Sequence, residues 1–94
     1  MLFRSSNKYY LSGVLEILKN PTKNSWKEIR QQLSEGDATD YVELFRFLYD
    51  NVDNYAPDNY ENVIFAIAQA QYQHHFVPDK EINVMEMILK ILKK

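Results

Sequence analysis

The sequence predicts a single all-α domain over residues 1–94, on three observations. Apolar residues recur at the i, i+3, i+4, i+7 spacing of one helical face in five successive segments. No segment shows the apolar-polar alternation of a half-buried strand, and no internal repeat or low-complexity linker interrupts the pattern. Pro21, Gly36, Pro57 and Pro78 fall at the edges of those segments, where helices begin and end. A domain of this length buries only about 60–65% of its unfolded surface, so its stability margin is thin.

The first helix is expected over about residues 7–19, with Leu11, Val14, Leu15 and Leu18 on one face. Gly13 weakens it by about 1 kcal/mol relative to alanine. Pro21 disfavours a helical Asn20 and ends it. Ser25 and Glu28 have the spacing of a capping box, and Trp26, Ile29 and Leu33 supply the stripe of a short second helix. Gly36 is expected as its left-handed stop. The third helix, from about Thr39 to Asn54, turns Tyr41, Leu44, Phe45, Leu48 and Val52 inward and Glu43, Arg46, Asp50 and Asp53 outward. Phe47 falls outside that stripe and is expected as a lone surface aromatic.

The fourth helix, Pro57 to Phe76, is the expected pillar of the domain. Pro57 suits its first turn, and Asp58 and Glu61 place negative charge where the helix dipole favours it. Tyr60, Val63, Ile64, Ile67 and Ala68 form one apolar row, with Phe65 and Tyr72 as a second row roughly opposite. The fifth helix has two candidate starts, Asp79 and Asn83. Asn83 is the expected one, because Asn83 and Glu86 repeat the capping-box spacing and Ile82 with Met87 has that of a hydrophobic staple. Beyond it, polar groups are confined to Asn83, Glu86, Lys90 and Lys93. Met85, Ile88, Leu89 and Leu92 then lie on one side, and Val84, Met87 and Ile91 on the other.

A helix that is apolar round most of its circumference must be covered on more than one side. The expected core comprises Leu44, Phe45, Leu48, Ile64, Ile67 and Leu89. Phe65, Tyr72, Val84, Met87 and Ile91 are expected to form a continuous patch for subunit contact, larger than monomers normally expose. The competing arrangement has the other three helices covering both rows.

Motifs that carry chemistry are absent. Gly13 and Gly36 are isolated, so no glycine-rich phosphate loop exists. Residues Asp50 to Glu61 have the length of a calcium loop, with Asp50, Asn54, Asp58 and Glu61 at ligand positions, but Val52 and Tyr55 stand where an oxygen donor and a glycine are needed. His74 and His75 are adjacent and point about 100° apart on a helix, unlike a metal-clamping pair, and there is no cysteine. No serine has a recognisable nucleophile context. The reading is no catalytic residue, no cofactor and no metal.

Net charge is −2, but it is distributed unevenly: six basic and two acidic residues in 1–34 give +4, one and eight in 35–61 give −7, and four and three in 62–94 give +1. The acidic middle disfavours direct nucleic-acid binding there; it reads first as a solvated acidic face, and the uneven charge can also steer one copy against another or against a basic partner. The seven tyrosines are expected in core and rim packing rather than base stacking. No apolar run approaches membrane-spanning length, and the lack of cysteine suits a reducing compartment, so a soluble cytoplasmic chain without a membrane partner is expected.

Several stretches resemble a known family. They are Gly13-Val-Leu-Glu-Ile-Leu-Lys19, the short second helix with Ile29, Arg30 and Leu33, and the aromatic-rich third helix ending near a proline. Gln71-Tyr-Gln-His-His75 and Asp79-Lys-Glu-Ile-Asn-Val84, followed by a terminal apolar helix, complete the set. In this order, across residues 10–92, they are similar to the C-terminal collar domain of the sliding-clamp loader small subunit, the replication factor C small subunit family, especially its T4-like bacteriophage version. The resemblance implies a compact five-helix domain that holds loader subunits in a ring during DNA replication, so that the loader can place the clamp on primer-template DNA. It implies other loader subunits or copies of itself as partners, host cytoplasm as location, and clamp and DNA contact only through an ATPase module, which this chain lacks. On that view the chain is a fragment of a longer loader subunit or a stand-alone relative. The alternative is a free-standing helical adaptor that uses the acidic face of the third helix.

Overall fold

The structure, a computed structural model, describes residues 9–36 and 41–93, and among them every regular element is α-helical. Six helical segments follow in order: α1 (Tyr9–Lys19), α2 (Ser25–Glu35), α3 (Val42–Asp50), α4 (Val52–Tyr55), α5 (Tyr60–Gln73) and α6 (Lys80–Leu92). The expected number was five. The difference arises at Asn51, where the expected third helix breaks into α3 and the single turn α4. The Asn51 side chain donates to the Phe47 carbonyl at 2.9 Å, satisfying one end-of-helix acceptor and closing α3.

Helix α1 packs along α2, α2 packs on α6, α6 lies alongside α5, and α3 lies along α5, with α4 joining α1 to α5. The side chains enclosed by this ring include Val14, Ile29, Leu44, Phe45, Leu48, Val63, Val84, Met87 and Ile88. The inward stripe expected of the third helix is buried as expected, and Glu43, Arg46, Asp50 and Asp53 are exposed. Phe47 is not a surface aromatic: it is half-buried and packs against the core.

The helix ends differ from expectation where side chains found other partners. Ser25 does not cap α2; its buried hydroxyl accepts from the Thr22 amide at 2.7 Å, and no side chain caps the preceding Asn24 position. Gly36 ends α2 with φ of −81°, outside the left-handed region. Its glycine is required by space, because a Cβ there would come within 2.6 Å of Tyr10 Cβ on α1. Helix α5 begins at Tyr60, three residues after Pro57, which lies in the preceding turn. Helix α6 begins at Lys80, and Asp79 is its N-cap, accepting from the amides of Glu81 at 3.0 Å and Ile82 at 3.2 Å. The expected Asn83 capping box is therefore not formed, and Ile82 is exposed rather than stapled. Residues 7, 8, 39 and 40 of the expected first and third helices lie outside the described residues.

Truncating the core should show directly in unfolding. Ile67→Ala, at a nearly fully buried site, is expected to cost about 2–5 kcal/mol in urea denaturation followed by circular dichroism. Asp79→Ala should cost about 1 kcal/mol through loss of the cap.

Candidate interaction surface

Helices α5 and α6, with the turn between them, carry most of the exposed large apolar side chains among the described residues. Helix α5 buries Val63, Ala66, Ile67 and Ala70. This row is rotated from the expected one: Val63 and Ile67 are shared, Ile64 is half-buried, and Tyr60 and Ala68 are exposed. Ala66 and Ala70 complete the buried row, and Ala70 lies where α6 meets α5. There the buried Asn83 side chain donates to the Ala70 carbonyl at 3.0 Å.

That contact sets the orientation of α6. Satisfied by Ala70, Asn83 leaves the expected polar strip and faces inward, and Leu89, about 120° away round the helix, turns outward to 52% exposure. Leu89 was expected in the core and is not there. Conversely, Val84, Met87 and Ile91 were expected in the exposed patch, and all three are core: 0%, 1% and 5% exposed. The remaining members, Phe65 and Tyr72, stand out from α5 at 69% exposure each.

What lies outside is a different patch. Phe65, Tyr72 and Phe76 follow one face of α5 and its C-terminal turn, with the Tyr72 and Phe76 rings 5.2 Å apart. Ile82 and Leu89 follow one face of α6, seven residues apart and both more than half exposed. The two faces look the same way. Phe76 and Ile82 line one depression of about 410 Å³, and between the rows Lys90 of α6 donates to Gln69 of α5 at 2.8 Å and pairs with Glu86 at 3.8 Å. The result is an apolar ridge on each helix with a polar seam of mixed charge between them.

Elsewhere the interior is tied by polar contacts that serve packing. Trp26 Nε1 donates to the Met85 carbonyl at 3.0 Å, fastening α2 to α6. This contact lies beside a cavity of about 590 Å³ whose mouth carries the exposed Arg30–Glu81 pair at 3.1 Å. Burial, followed by the Glu81 and Asp79 carboxylates, holds the Tyr41 hydroxyl above its ordinary pKa. His74 meets the edges of Phe45 and Tyr41 at ring separations of 5.0 and 6.0 Å, and its carbonyl accepts from Lys80 Nζ. No group of three or more His, Cys, Asp and Glu side chains able to hold a metal occurs among the described residues. The stretch from Asp50 to Glu61 contains α4, Asp50 pairs with Arg46 at 3.1 Å, and the Tyr55 hydroxyl donates to the Leu48 carbonyl at 2.7 Å. Nor does any helix among the described residues have the length and apolarity to cross a membrane.

Comparison with protein-family models, with characterised proteins and with solved structures found no match. The resemblance to clamp-loader collars therefore rests on the sequence stretches that suggested it.

Two measurements probe this arrangement. Met87→Asp puts a charge into the dry core and should leave the chain largely unfolded by circular dichroism, whereas Tyr72→Asp should change stability by no more than about 0.5 kcal/mol. Burial raises the Tyr55 pKa above its ordinary value. Its contribution to stability is therefore fully present below the unfolded-chain value of about 10 and is lost as pH rises beyond it. Tyr55→Phe should flatten the alkaline fall in stability, measured by urea titrations from neutral pH upward.

Proposed function

We propose that this chain is a non-catalytic oligomerisation domain of clamp-loader collar type, and that the outer face of α5 and α6 joins it to further copies or to related loader subunits. The observation that carries this reading is the double ridge: Phe65, Tyr72, Phe76, Ile82 and Leu89, each more than half exposed, on one side of two adjacent helices. An apolar surface of that extent on so small a domain marks a contact site. The contact set differs from the expected one: Ile82 and Leu89 stand in place of Val84, Met87 and Ile91 on α6, and Phe76 joins Phe65 and Tyr72. The sequence stretches that resemble the collar family supply the loader context. In that context ATP hydrolysis and DNA contact belong to an ATPase module, and this domain contributes assembly.

Native mass spectrometry and sedimentation velocity across a concentration series test the proposal. Concentration-dependent self-association is expected, and the double variant Phe65→Asp, Tyr72→Asp should abolish it without altering the circular dichroism spectrum. Strictly monomeric behaviour up to high concentration, combined with failure to bind a clamp-loader ATPase subunit, would overturn the reading.

A further inference from the structure

The cavity of about 590 Å³ beside the Trp26–Met85 contact is a cleft between α2 and α6, and no side chain of the ridge lines it. Its floor is apolar and continuous with the core: Trp26 and Leu33 from α2, Met85 from α6. A concave site of this size, apolar at the base with a few polar groups placed round it, has the form that holds a small organic molecule. The polar groups stand in a definite order. Trp26 meets Met85 and Arg30 meets Glu81, so the numbering falls along α6 as it rises along α2, and the two helices run antiparallel. Lys27, in the first turn of α2, marks one end of the cleft. Tyr41 marks the other, since the carboxylates that act on its hydroxyl are Glu81 and Asp79, at the start of α6. Between the ends, α2 from Lys27 to Ser34 spans about 10 Å.

Both ends have bonding capacity that the protein does not use. The Lys27 ammonium pairs with no carboxylate among the described residues. Arg30, three residues on and so on the same face of α2, engages Glu81 through Nε alone. Lys27 and Arg30 against Glu81 leave the lining with a charge of +1. At the far end Tyr41 is only 7% exposed, yet its hydroxyl bonds no described residue and is not sealed from solvent. The polar atom of a side chain so deeply buried ordinarily has a partner. This one takes it from whatever fills the cleft, and burial with the two nearby carboxylates keeps the hydroxyl proton available to give.

We propose that the α2/α6 cleft binds a small amphiphilic carboxylate, its anion against Lys27 and the terminal nitrogens of Arg30, its apolar body over Trp26 and Met85, and a neutral hydrogen-bond acceptor at its far end on the Tyr41 hydroxyl. One uncommitted cation and one partly engaged cation match a single negative charge better than the two of a phosphate monoester. Asp79 and Glu81 repel an anion at the Tyr41 end, which fixes the direction in which the ligand lies. The proposal uses neither the ridge nor the collar reading, so the two stand or fall separately.

The test uses the full chain and three probes: 4-acetamidobenzoate, which carries both the anion and the distant acceptor, benzoate, which lacks the acceptor, and acetanilide, which lacks the anion. Trp26 is the only tryptophan in the sequence, so its indole N–H resonance reports on the cleft directly, and calorimetry gives the affinity. A Kd of about 1 mM or tighter is expected for 4-acetamidobenzoate, as suits a molecule of that size, weakening as salt is raised. Lys27→Glu, at an exposed position, should weaken it by about tenfold. Tyr41→Phe should weaken 4-acetamidobenzoate by about two- to tenfold, the worth of one hydrogen bond, and leave benzoate unaffected, with an unchanged circular dichroism spectrum in both variants. No heat and no movement of the indole resonance at millimolar 4-acetamidobenzoate would overturn the proposal. So would acetanilide binding as tightly as the carboxylate, or Lys27→Glu binding as the natural chain does. Equal losses for 4-acetamidobenzoate and benzoate in Tyr41→Phe would reduce Tyr41 to a packing residue and overturn it as well.

Discussion

Everything in this fold is arranged so that α6 can be covered over most of its circumference. Six of its thirteen residues are buried, and Val84, Met87 and Ile88 exclude water almost completely. Each such side chain is worth about 1.5–3 kcal/mol when removed from water, which matters in a domain with so little surface to bury. Two polar contacts border this dry face. Asn83 reaches the Ala70 carbonyl on the α5 side, and the Met85 carbonyl receives Trp26 on the α2 side. The Ala70 carbonyl already accepts the amide of His74, the residue that caps the C-terminal end of α5, at 2.9 Å, so Asn83 uses its second lone pair. An unpaired amide at that depth would cost about 1–3 kcal/mol. The contact therefore fixes the rotation of α6 against α5 as well as making the burial tolerable.

Where apolar periodicity was unambiguous, the sequence was legible. The inward stripe of α3 is an example: its apolar and charged residues separate cleanly, and only one rotation of the helix satisfies both. In α5 and α6 periodicity identified helices but not their rotation, because both are apolar on more than one side. The decisive residues were of kinds that a hydrophobic pattern undervalues. Ala66 and Ala70 look like weak core candidates beside Ile64, yet both are buried and the Ala70 carbonyl meets α6. Asn83 looks like a surface or cap residue, yet a single carbonyl acceptor, invisible in one dimension, brings it inside and sends Leu89 out. The same blindness to tertiary partners led to Ser25 as a cap when its hydroxyl serves Thr22, and to a left-handed Gly36 when the requirement was room for Tyr10. Of the candidate surface, Phe65 and Tyr72 could be found from their separation from the main row. Phe76, Ile82 and Leu89 could not, since their exposure follows from how the two helices meet.

The ridge depends on α5 for its aromatic half and on the polar seam beside it for its selectivity. Along the ridge the charges alternate in sign within the Glu86–Lys90 seam, so long-range electrostatics neither attract nor repel a like surface and contact is decided by apolar area. Helix α5 can spare Phe65 and Tyr72 for that surface because its inner face needs only Val63, Ala66, Ile67 and Ala70.

The energetics of the ridge bear on the kind of assembly proposed. Covering five such side chains yields about 7–15 kcal/mol at the usual worth of apolar burial. Loss of translational and rotational freedom on association costs about 4–15 kcal/mol. One ridge meeting one partner surface is therefore close to break-even, and a pair of domains held by it alone would dissociate on dilution. A closed ring alters that balance only where each subunit makes contacts on two sides, since the last contact then closes without a further loss of translational freedom. A ridge that meets a copy of itself closes a two-fold pair, so a collar built from this domain needs a second, complementary surface on each subunit in addition to the ridge.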